Sequence, residues 1–193
     1  MKLSENWENR RPSSLELLVP LDAKGLDDLR AKIMAGLGSP ASEQGPRWRL
    51  AKPIRSGATD DYRERRRALL MVALSLPGTV DLDFGVERSL DPPAGVRPLI
   101  GVEEMAREAA TFGQGSFRFA WPLGLTPPRY DVPGVLTLEG PGYYRVIASF
   151  GSEWVSIGDG TVGAISTARR TRENWLSDND DIPPGAACWL AEK

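Results

Sequence analysis

Asp81 and Asp83 stand one residue apart in Thr79–Val86, where Val80, Leu82 and Phe84 occupy the alternate positions. A strand over that stretch places both carboxylates on one face, because side chains of a strand repeat with a period of two. Such a pair could hold Mg²⁺ or Mn²⁺ for phosphoryl or nucleotidyl transfer, since hard cations prefer oxygen ligands. Glu87 or Asp91 could add a third carboxylate. No Gly-Ser loop of the kind that accompanies this arrangement in nucleotidyl-transfer enzymes precedes it; an arginine-rich segment does. The plainer reading sets Asp81 and Asp83 on the solvated face of an amphipathic strand. It is the one adopted: neither a metal nor any other cofactor is expected.

The remaining candidates are weaker. Histidine is absent, which removes Ser-His and Cys-His nucleophile pairs, His-ligated zinc and the usual proton shuttle near neutral pH. The single cysteine, Cys188, cannot form an internal disulfide and reads as a small buried residue between Ala187 and Trp189. Asp159-Gly160 and the acidic run from Ser177 to Asp181 lack the ligand spacing of a calcium loop. Gly36 to Ser39 follows a helical pattern, whereas a phosphate loop precedes one. Arg63, Arg65, Arg66 and Arg67 crowd one helix, but Asp60, Asp61 and Glu64 lie within pairing distance along it. A solvated helix face is expected there, with a protein contact as the alternative.

Charge points the same way. The chain of 193 residues carries 24 basic and 26 acidic side chains, for a net charge of −2. Both signs number 17 up to Gly113, and beyond it 7 basic face 9 acidic residues. Neither half has the basic excess of a nucleic-acid footprint, so nucleic acid is an unlikely partner. Arginine outnumbers lysine 19 to 5. Its planar fork suits bidentate, half-buried contacts better than an ammonium does. No apolar run approaches the roughly 20 residues of a membrane span, and the first eleven residues lack a hydrophobic signal core. A cytoplasmic protein is expected, one that could become part of a particle.

The elements that must position these groups divide near 113. Before it, Leu15–Val19 reads as a short strand and Leu26, Leu29, Ile33, Met34 and Leu37 as one helical stripe behind an Asp22 cap. A strand over 47–51 puts Trp48 and Leu50 on one face. The clearest helix runs from Thr59 as N-cap to Leu76, with Leu69, Leu70 and Ala73 buried and Arg63 and Arg67 outward or at an interface. Pro77-Gly78 ends it, the strand over 79–86 follows, and a third helix covers about 102–112.

After 113 the period is two. Strands are expected at 116–121, 135–139, 143–150, 154–157 and 161–166, paired antiparallel in sequence order. Asp159-Gly160 reads as a hairpin turn. The expected fold is α+β: a mixed α/β lobe over 1–113 packed against an antiparallel β-meander over 114–193, a small sandwich or open barrel. The alternative is one integrated domain.

Three functional classes remain. The first is a non-catalytic structural or interaction protein, a subunit of an assembly such as a phage or phage-like particle. Its contacts would use Trp7, Trp175 and Trp189, which lie outside the periodic elements, with Arg10, Arg11, Arg169, Arg170 and Arg172 as a polar rim. Trp48, Trp121 and Trp154 are assigned to inward strand positions instead. The second class is a metal-dependent enzyme using Asp81 and Asp83. The third is an immunity-type binding module using the arginine helix or an acidic patch. The expectation adopted is the first, with protein partners or self-assembly.

Overall fold

The computed structural model describes residues 14–38, 45–52, 59–88, 103–107, 133–140, 144–156, 161–166 and 181–192. Strand β1 (Leu15–Leu17) leads into helix α1 (Ala23–Gly38), then β2 (Arg47–Leu50), α2 (Asp60–Ser75), β3 (Thr79–Asp81) and a short helix α3 (Phe84–Arg88). The three strands form one parallel sheet in the order β1-β2-β3. Local chemistry sets the helix starts. The Gly25 amide donates to Asp22 Oδ1 at 2.7 Å, and the Tyr62 amide donates to the Thr59 hydroxyl at 3.3 Å. Each side chain satisfies an amide that the first turn leaves without an internal acceptor.

Trp48 and Leu50 share the buried face of β2, as their spacing predicts. The Trp48 indole donates to the Pro77 carbonyl at 2.7 Å, fixing the turn that follows α2. Gly78 in that turn has φ +102°, and a Cβ there would overlap the Pro46 carbonyl. Glycine alone suits that approach. The Thr79 amide can then donate to Pro46 O at 3.0 Å, which registers β3 on β2.

In the second half, β4 (Val135–Gly140), β5 (Tyr144–Ser149), β7 (Thr161–Ser166) and β9 (Ala187–Glu192) form an antiparallel sheet in the order β4-β5-β9-β7. Strands β6 (Val155–Ser156) and β8 (Asp181–Ile182) make a separate antiparallel pair. The architecture is α+β. Sequence order fails inside this sheet, however. β9, read from sequence only as a short apolar end, enters between β5 and β7, while β6 pairs with β8. The reason is burial: Trp189 faces α2 and Cys188 the opposite side, so β9 is apolar on both faces and suits the sheet centre. The 159–160 turn and the strand expected at 116–121 lie outside the described residues.

The core runs from one sheet to the other through α2. Every residue from Arg66 to Ala73 is buried, as happens when a helix is covered on all sides. It packs against β2 and also against β5 and β9. One apolar cluster therefore holds Leu17, Trp48 and Leu50 from the parallel sheet together with Leu136, Val146 and Trp189 from the antiparallel one. A smaller cluster on the far face joins Val135, Ile147, Cys188 and Leu190 to Val155 of β6 and Ile182 of β8. The expectation of one buried stripe with Arg67 outward is corrected: Arg67 is 3% exposed, because the second sheet covers the face that would otherwise be solvated. Of the helix expected over 102–112, the structure describes 103–107, helical, with Met105 in the core.

Candidate functional site

The strand carrying Asp81 ends there. Asp83 lies two residues beyond, where its Oδ1 accepts from the amides of Gly85 (3.1 Å) and Val86 (3.3 Å) and starts α3. The expected strand through Val86 is corrected accordingly. Aspartate is a strong helix starter, and that local preference outweighs strand alternation over so short a stretch. Asp81 is engaged by Arg47 in a two-pronged pair, Nε to Oδ2 at 2.7 Å and Nη2 to Oδ1 at 2.8 Å. The hydrogen bond and charge of Asp81 push the Arg47 guanidinium above its ordinary value. Across β2, Arg49 Nη2 meets Glu16 Oε1 at 2.9 Å. The outer face of the parallel sheet is thus a row of cross-strand ion pairs.

Both aspartates border a cleft of about 260 Å³ at the carboxyl ends of β2 and β3. Leu50, Leu82 and Val86 supply its apolar wall, and Lys52, Glu16 and Arg49 reach its rim. Arg66 and Glu87 also line it, 2% and 3% exposed at their side chains. Arg66 Nη2 donates to Glu87 Oε1 at 2.6 Å, Nε to Oε2 at 3.3 Å, and Nη1 to the Ala51 carbonyl at 2.6 Å. Among the described residues no group of three or more His, Cys, Asp or Glu side chains is placed to hold a metal ion.

Trp189 is not a surface anchor. It is 3% exposed, and its indole donates to the Ser75 hydroxyl at 2.6 Å; Ser75 in turn donates to Met71 O at 2.7 Å. That chain satisfies the indole N–H inside the core, so the ring fastens β9 to α2. Trp154 departs in the other direction: it is 56% exposed rather than inward. Trp7, Arg10, Arg11, Arg169, Arg170, Arg172 and Trp175 lie outside the described residues, as does Trp121. Cys188 is fully buried, and loss of solvent pushes its thiol well up from the usual range.

Sequence reasoning missed the roles of Arg30, Arg65 and Arg66. Each reaches a main-chain carbonyl far away in sequence: Arg30 Nη2 to Val135 O at 2.8 Å, Arg66 to Ala51 O, and Arg65 Nη1 to both Pro20 O (3.4 Å) and Phe150 O. Spacing along a helix reveals i to i+4 partners such as Asp61 and Arg65, but not these acceptors. The excess of arginine over lysine was the available signal. No known family model matches the chain, and no curated protein matches it either. No described helix is long and apolar enough to cross a membrane.

Proposed function

We propose that this protein works by contact, as a non-catalytic subunit of a larger assembly such as a phage or phage-like particle. The observation that supports the reading is a set of large apolar side chains left in water on two joined segments. Leu18 and Leu21 are 57% and 56% exposed in the β1–α1 connection, and Trp154 is 56% exposed after the turn that follows β5. The Arg65 guanidinium binds both segments, through Pro20 O and Phe150 O, and is itself held by Asp61 at 3.0 Å. Scattered single apolar residues are ordinary on a surface, whereas apolar groups on a fixed, charge-rimmed support suit a protein interface. Tryptophan and arginine are the residue types that dominate interface energies.

The enzyme alternative built on Asp81 and Asp83 loses its premise, a shared strand face, because β3 ends at Asp81. Mass measurement by light scattering tests the contact reading in its self-assembling form. The protein is expected to run above its monomer mass, and Trp154→Ala with Leu21→Ser to return it to the monomer at unchanged melting temperature. A parent that stays monomeric at every concentration, or an assembly indifferent to both substitutions, overturns it.

A further inference from the structure

We propose that the cleft at the carboxyl ends of β2 and β3 binds a small zwitterion, an α-amino acid with an apolar side chain. The proposal does not depend on the assembly reading. Parallel sheets offer ligand sites where the chain leaves the carboxyl ends of their strands, and this cleft lies there. Its 260 Å³ falls below the roughly 300 Å³ at which pockets for drug-sized ligands begin, so the occupant is a small molecule.

Charge accounting selects its class. Four carboxylates and three cations line the cleft. Glu16 is neutralised by Arg49, Glu87 by Arg66, and Asp81 by Arg47 from the neighbouring strand position. Lys52 and Asp83 remain, one of each sign, in no ion pair among the described residues. Arg49 pairs in register with Asp81 across β2 and β3, and Lys52 and Asp83 each lie two residues beyond the carboxyl end of one of these adjacent strands. A cation and a carboxylate lining one cleft match the carboxylate and ammonium of one amino acid. Asp83 Oδ1 is used by the α3 amides, and the second oxygen serves the ammonium. Leu82 and Val86, both half-buried, and Leu50 offer the apolar wall for the side chain.

The floor gives the site rigidity. Arg66 and Glu87 are buried together, and the guanidinium is also fixed to Ala51 O, one residue before Lys52. A buried ion pair is a costly device for stability alone, but it locks the chain on either side of the cleft in one arrangement. That rigidity lowers the ordering cost of binding.

Calorimetric titration with L-leucine tests the assignment. Saturable binding with a Kd of about 1 mM or tighter is expected. 4-Methylpentanoate, which lacks the ammonium, and 3-methylbutylamine, which lacks the carboxylate, should each bind at least about tenfold more weakly. Lys52→Met and Asp83→Asn should produce the same loss. Asparagine starts helices about as well as aspartate, and Lys52 is exposed, so both variants should keep the parental melting temperature. Absence of saturable heat from L-leucine, analogues that bind as well as leucine, or variants of parental stability that bind unchanged would each overturn the proposal.

Discussion

Arg66 lies inside the protein because three acceptors meet its guanidinium there: both oxygens of Glu87 and the carbonyl of Ala51. Removing one member of such a pair leaves a charge buried without its counter-ion, which costs about 3–5 kcal/mol. Glu87→Gln should therefore lower the urea-unfolding free energy by about that amount. Arg66→Met combined with Glu87→Leu should recover part of the loss, with Ala51 O left lacking a donor. Cys188 makes a second prediction at this scale. Its folded thiol titrates above the unfolded one, so it contributes stability in full below about pH 8.5, the unfolded value. The unfolded chain releases that proton first as pH rises, and the contribution then falls by up to about 1.4 kcal/mol per pH unit. Stability measured between pH 8 and 10 should decline less steeply in Cys188→Ala. The native thiol should also resist aqueous thiol reagents.

Among the elements, α1 and α2 show opposite relations between pattern and packing. α1 buries Leu26, Leu29 and Ile33 along one stripe as helical spacing dictates, but Met34, expected in that stripe, is exposed at its edge. Gly36 is buried in its last turns, where a Cβ would overlap the Trp48 ring and stand 2.6 Å from Leu15 Cδ1. Gly36→Ala should gain about 1 kcal/mol of helix propensity yet destabilise the protein by about 1–3 kcal/mol overall through overpacking. Denaturant midpoints decide the sign, and a stabilised variant would show that the ring can move. α2, by contrast, buries Arg66 and Arg67 from its charged first half together with the apolar run Ala68–Ala73, because it packs against β5 and β9 as well as β2. Leu70→Ala, at a fully buried position, should cost about 2–5 kcal/mol.

At the scale of the whole molecule, one apolar cluster crosses from the parallel to the antiparallel sheet. Thermal unfolding should therefore be a single transition, with tryptophan fluorescence and far-ultraviolet dichroism tracing coincident curves. Two resolved steps would show that the halves hold together independently. Truncation carries the same logic. Deleting 173–193 removes β9 from between β5 and β7, along with the Trp189–Ser75 link. The shortened chain should fail to reach the native dichroism spectrum. Strand β9, which reads from sequence as a short apolar end, is a central part of the fold.

What the sequence determined by itself was local. The Asp22 and Thr59 caps, the inward pair Trp48 and Leu50, the Leu26, Leu29 and Ile33 stripe of α1 and the antiparallel pairing of β4 with β5 all follow from spacings within one element or between two consecutive ones. The aspartates of the cleft were legible as residues that chemistry could use, but their partners were not. Arg47 lies 34 residues from Asp81, Arg66 lies 21 from Glu87, and Arg30 lies 105 from Val135. Tertiary structure alone decided that β9 outcompetes β6 for the edge of β5, that α2 is covered on both sides, and that Trp189 turns inward while Trp154 stays in water. The physical reason is common to these cases. Periodicity says which side of an element is apolar, whereas burial and charge pairing depend on what the rest of the chain brings to that side.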